Sequence, residues 1–160
     1  YDIPLRLVGS EMCIRDRTYA DACFTAHAIE PDNENAPKDE AEIEAYYNEI
    51  RKIWDGRDIT IIRGEGTEIF QHDIYDNAKS VNYIYGPKAH AFRDYDHLLA
   101  EAKAQPKDRL MIVVLGPTAT VLAYDLAKAG YQALDIGHLG KAYDWLKRKE
   151  TIVIGKFFAS

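Results

Sequence analysis

The chain has 160 residues, enough for one domain with a sizeable core, and its 47% hydrophobic and 29% charged residues exclude a mainly disordered or collagen-like protein. A formal charge of -6, with a pI near 5.4, offers no basic surface for a nucleic-acid partner. The only cysteines, Cys13 and Cys23, support neither a disulfide framework nor a zinc site and fit a reducing, cytoplasmic compartment, and no apolar run approaches the roughly 20 residues of a membrane span.

Residues 1–17 stand apart. LVGSEMCIRDR, Leu7 to Arg17, has neither a strand nor a helix period and resembles an in-frame translation of a transposase adapter from sequencing libraries. We read residues 1–17 as non-native and residues 18–160 as the domain. Setting the segment aside leaves the charge unchanged, because Asp2, Glu11 and Asp16 balance Arg6, Arg15 and Arg17. A junction at Arg17 would also mean that natural sequence preceding Thr18 is missing.

From Thr18 to Ile29 the pattern is mixed, and Glu30 to Lys38 reads as a polar loop with two prolines. Asp39 to Trp54 carries Ile43, Tyr46, Tyr47, Ile50, Ile53 and Trp54 at helical spacing, with basic residues in its last turn and Gly56 just beyond. Asp58 to Ile62 (DITII) is a β-branched strand running into the glycine turn RGEG. Gln71 to Lys79 reads as a short helix, and Ser80 to Tyr85 as a strand stopped by Gly86-Pro87. The stripe within Ala89 to Ala104 predicts a helix, and Arg109 to Leu115 (RLMIVVL) a strand buried on both faces. Thr118 to Ala129 predicts a helix ended by Gly130, Gln132 to Ile136 a strand, and Lys141 to Lys149 a last helix. TIVIGKFFAS closes the chain without a clear stop. The alternation predicts an α/β, Rossmann-like fold: a mainly parallel sheet with helices on both faces.

In such a sheet, ligands bind outside the carboxyl ends of the strands. That rule selects Arg63 to Thr67, Gly86 to Lys88, Gly116 to Thr120 and Asp135 to His138. In the third segment Gly116 permits a sharp turn, Pro117 suits a first helical position, and Thr118 and Thr120 add hydroxyls beside unpaired N–H groups, a possible phosphate cradle. It has neither the G-K-[ST] of a Walker A loop nor a G-x-G-x-x-G fingerprint, and a capped helix without a ligand reads equally well. Asp135 and His138 could form an acid–base pair or contact sugar hydroxyls, although spacing alone favours Asp135 as a cap and His138 bonded to a carbonyl. Glu65 is a turn acid unless its loop faces the cleft. Asp76 and Asn77 read as a polar face with a conceivable sugar contact. The aromatic run from Tyr75 to Tyr95 reads as core and rim. His72, His90 and His97 have no metal spacing.

The string LGPTATVLAYDLAKAGYQALDIGH, Leu115 to His138, resembles the C-terminal half of the bacterial GT-D-type glycosyltransferases. The similarity extends upstream through GRDITIIRGEGT, HDIYDNAKSVNYIYGP and AHAFRDYDHLL, from about Ala20 to Trp145. The resemblance implies transfer of a sugar, typically glucose, from a UDP-sugar to a glycan or glycoprotein acceptor, with a divalent metal such as manganese. It further implies a donor site drawn from Gly64, Gly116, Pro117, Thr118, Thr120, Asp76 and Asn77, with Glu65, Asp135 and His138 lining the cleft and no assigned base. The chain departs from the family pattern in three places. It lacks the early metal-binding Asp-x-Glu in its usual context, Asp32-Asn33-Glu34 meeting only the bare spacing. It has Arg63 where many members have Glu, and LGKAYDW after DIGH. The expectation is therefore a truncated domain with a weakened or lost metal site and little activity. A methyltransferase-like α/β transferase and a non-catalytic α/β module are the competing readings.

Overall fold

The computed structural model describes residues 40–67, 73–137 and 139–147. The apolar runs of the sequence become strands β1 (Asp58–Gly64), β2 (Ser80–Gly86), β3 (Leu110–Val114) and β4 (Ala133–Asp135). They form one four-stranded sheet in the order β2-β1-β3-β4, and each neighbouring pair is parallel. Among the described residues the helices are α1 (Glu40–Arg51), α2 (Tyr95–Lys103), α3 (Pro117–Lys128) and α4 (Leu139–Lys147), with single 3-10 turns at Asp73–Tyr75 and Ala91–Asp94. No helix among the described residues is long and apolar enough to cross a membrane.

Successive residues of a strand point to opposite faces, so the unbroken apolar runs feed two cores. Ile59, Ile61, Leu110 and Ile112 pack with Tyr47, Ile50, Trp54, Tyr75, Leu139 and Tyr143, under α1 and α4. On the other face Ile62, Ile84, Met111 and Val113 pack with Leu98, Ala102, Ala119, Leu122 and Leu126, under α2 and α3. The expected Rossmann-like layering, helices on both faces of a parallel sheet, is thus what the chain adopts.

Four expected elements differ. The first helix stops at Arg51, three residues before Trp54, and a turn follows. There Asn77 Nδ2 donates to the Arg51 carbonyl at 2.9 Å, and Gly56 N–H donates to the Asn77 carbonyl at 2.9 Å. Leaving the helical track lets Trp54 bury completely and donate its Nε1–H to the Ile74 carbonyl at 2.9 Å. The same bonds consume the backbone of the helix expected over Gln71 to Lys79, which within the described residues is one 3-10 turn. The helix expected from Ala89 begins as a 3-10 turn and becomes α-helical only at Tyr95, after His90 takes a left-handed conformation (φ 56°). The last helix starts at Leu139, two residues early. The TIVIGKFFAS stretch and the readings on residues 18–38 lie outside the described residues.

The amino ends of β1 and β2 are latched by Asp58, which accepts hydrogen bonds from Ser80 Oγ at 2.6 Å and Lys79 Nζ at 3.1 Å. The Ser80 bond, and then the Lys79 bond, hold the Asp58 carboxyl below the ordinary aspartate range. A lowered folded-state value means the latch is fully stabilising above the ordinary aspartate pKa of about 4 and is lost as pH falls through the lowered value. Ser80→Ala should raise the Asp58 titration midpoint followed by NMR; an unchanged midpoint would remove the serine from the latch. Trp54→Ala, which empties a sealed site and orphans a carbonyl, should lower the unfolding free energy by about 3–5 kcal/mol in urea titrations.

Candidate functional site

From β1 the chain crosses to β2 on one side, then returns past β1 to β3 on the other. The connections leaving the carboxyl ends of β1 and β3 therefore diverge, which opens a crevice between them. Its walls are the turn after Gly64 and the turn at Gly116.

The first wall is tightly built. Glu65 N–H donates to the Gly86 carbonyl at 2.8 Å, extending the β1–β2 ladder, and Thr67 Oγ1 donates to the Gly64 carbonyl at 2.6 Å. A Cβ on Gly64 would stand 3.3 Å from Lys88 Cα, so the backbone after β2 occupies the space a side chain would need. The absence of a side chain at Gly64, expected to serve a donor, thus suits the tight packing between two loops, which a Cβ would push apart by a few tenths of an ångström. Glu65 is exposed, and its carboxylate has no hydrogen-bond or ion-pair partner among the described residues.

Gly116 caps α3 with φ 54° and ψ -141°, a conformation that glycine tolerates and other residues do not. Pro117 follows at the first helical position, and no side chain among the described residues caps the helix. The first-turn donors are left to solvent or a ligand, apart from Ala119 N–H, which returns to the Gly116 carbonyl at 2.9 Å. Thr118 is buried beneath this turn, and Thr120 is exposed.

Asp135 joins this helix to β4. Its Oδ2 accepts from Thr120 Oγ1 at 2.7 Å and its Oδ1 from Gly137 N–H at 3.1 Å. The two turns singled out in the sequence are thus in direct contact, and the Asp135 carboxylate serves as the link. Its bond within the turn fits the capping reading more than an acid–base one. His138 lies outside the described residues.

Asp76 and Asn77 are not brought to this edge. They immediately precede β2 and so enter the sheet at its amino end. There Asn77 is engaged with the Arg51 carbonyl, the Asp55 carboxylate at 3.1 Å and Gly56. This corrects the donor contact expected of them, since a polar pair before a parallel strand meets the edge remote from the crevice.

Sequence reasoning passed over Arg63 as a site residue. It is the penultimate residue of β1, is itself buried, and lays its guanidinium over the rings of Tyr83 and Tyr85, with Cζ 5.3 and 5.9 Å from their centroids. The available signal was a basic residue closing an otherwise β-branched run. Among the described residues no group of three or more His, Cys, Asp or Glu is placed to hold a metal ion.

The glycosyltransferase family described by its GT-D fold matches residues 6–155. The chain belongs to the GT-D-fold glycosyltransferases. The match begins within the segment set aside on sequence grounds and runs through both walls of the crevice. Over 111 residues the chain is 35% identical to the glycosyltransferase GlyD of Streptococcus pneumoniae serotype 4, covering 69% of this chain and 14% of that protein. Two solved structures share the GT-D architecture. One, showing that the highly conserved domain of unknown function 1792 has a distinct glycosyltransferase fold, superposes with a TM-score of 0.73 at 32% identity, covering 83% of this chain and 46% of the other. The second, a glycosyltransferase of the same domain class from Streptococcus sanguinis, gives 0.72 at 26% identity over 84% and 48%. This GT-D chain therefore spans about one seventh of the curated relative and about half of each solved structure.

Gly116→Ala should cost about 1–3 kcal/mol in urea denaturation, because the added Cβ has open space around it and only the backbone conformation is penalised. A loss within experimental error would mean that the turn relaxes to an ordinary conformation.

Proposed function

We propose that this protein transfers a sugar, glucose, from a UDP-sugar donor to a glycan or glycoprotein acceptor. The observation that carries the reading is the uncapped start of α3 at Gly116, facing the crevice at the strand-order reversal. Backbone N–H groups and the helix dipole there favour a diphosphate. The dipole alone is worth at most about 2 kcal/mol. Micromolar affinity needs about 8 kcal/mol, so most of the donor's binding must come from its other groups.

In this reading Gly64, Gly116, Pro117 and Thr118 form the donor side of the crevice. Thr120 acts through Asp135, keeping the β4 turn against α3. Glu65, exposed and unpaired among the described residues, is the acid best suited to take the acceptor hydroxyl's proton. A divalent cation, manganese, belongs to the reading and would neutralise the leaving diphosphate. Among the described residues no group of three or more His, Cys, Asp or Glu is placed to hold it. A cytoplasmic location also belongs to the reading, in keeping with the sparse cysteines.

Thermal-shift titrations of this chain with UDP, UDP-glucose and S-adenosylmethionine, with and without manganese, test the donor. UDP and UDP-glucose should raise the melting temperature, and S-adenosylmethionine should leave it unchanged. A shift by S-adenosylmethionine alone, or by none of the three, would sink the proposal. For the base, Glu65→Gln should retain UDP binding and lower kcat by about 10²–10⁴-fold. Undiminished kcat would remove Glu65 from that role.

A further inference from the structure

Arg63 is a buried charge with no ion-pair partner among the described residues. Its place in β1 puts it on the same face as Ile59 and Ile61, and its register partners are Tyr85 on β2 and Val114 on β3. The residue is 7% exposed, and its guanidinium cannot shed its proton. The Nε is sealed from solvent with no hydrogen-bond partner, and no carboxylate among the described residues forms an ion pair with the group. Asp144 is also buried, and acts electrostatically on the neighbouring Tyr75. Arg109, just before β3, shows the ordinary arrangement: its guanidinium donates to Thr60 Oγ1 and to the Ile59 carbonyl of β1.

Two aromatic rings are what Arg63 does have. Tyr83 and Tyr85 stack on each other with centroids 5.9 Å apart and an interplanar angle of 12°, and both keep 40% of their surface exposed. Cation–π attraction offsets part of the desolvation, but it satisfies no N–H donor. A buried guanidinium whose Nε lacks an acceptor, beside an accessible aromatic pair, matches a ligand that brings both an oxyanion and a flat apolar face. A sugar ring carries such a face of C–H groups, and a phosphate or carboxylate suits the planar fork of an arginine.

We propose that Arg63, Tyr83 and Tyr85 form a binding site for an acidic sugar, whose phosphate or carboxylate pairs with the guanidinium while its ring stacks on the tyrosines. The site lies on the sheet face covered by α1 and α4, whereas α3 packs on the opposite face. It is therefore distinct from the proposed donor turn, and it does not depend on glycosyl transfer.

The test uses the whole chain and four ligands: glucose 6-phosphate, glucuronate, glucose and inorganic phosphate. Binding is measured by calorimetry, and the Arg63 Nε–H resonance is followed by NMR. Both acidic sugars should move that resonance and bind about tenfold or more tightly than glucose, the scale of one charge-assisted contact. The stronger of the two identifies phosphate or carboxylate as the preferred group. Arg63→Met should lose the acidic-sugar binding while its melting temperature holds or rises, since an uncompensated buried charge has been removed. Tyr83→Ala should weaken the acidic sugars and leave inorganic phosphate unaffected. The proposal is overturned if neither acidic sugar outbinds glucose, or if Arg63→Met binds them as the wild type does. Should Arg63→Met fail to fold, an Arg63 resonance unmoved by both acidic sugars overturns it equally.

Discussion

Pairing on both edges of β1 is the constraint from which the rest of this domain follows. The strand is hydrogen-bonded to β2 on one side and β3 on the other, and buried under helices on both faces. A strand confined in this way has one direction in which to present chemistry, which is beyond its carboxyl end. Its last residues accordingly change character within a few positions, from isoleucine through Arg63 to the glycine turn. The crevice beside β3 and the arginine site beside β2 both begin there, on opposite faces.

Much of this architecture was legible because the sheet is parallel. Both faces of β3 are buried, so LMIVV had to be continuously apolar, and the glycines that end β1, β2 and β3 mark the carboxyl edge without a structure. What could not be read were elements decided by single long-range bonds. Helical periodicity through Trp54 predicts a helix, but the indole gains more by reaching the Ile74 carbonyl than by staying in register with Ile50. Asn77 looked like a surface residue for the same reason: its partners at Arg51 and Asp55 are more than 20 positions away.

The candidate site was legible in outline and obscure in its details. Topology assembled Glu65, Gly116 and Asp135 on one edge, as the strand-end rule requires. It could not reveal that Asp135 is occupied by Thr120, nor that Gly64 answers to Lys88. Arg63 was visible as the first residue of a strand-end segment and as a departure from the family pattern. Its significance depends on burial and missing partners, and neither quantity exists before the chain is folded.

The contact between Gly64 and Lys88 bears on how this protein can change over evolutionary time. With 3.3 Å between a prospective Cβ and the Lys88 backbone, the loop after β1 and the loop after β2 fit like adjoining tiles. A bulkier residue at position 64 could be accommodated only if the path through Pro87 and Lys88 moved outward in the same lineage. The two loops are therefore coupled through packing, whereas at Gly116 the surrounding space is open and the constraint is the backbone conformation alone.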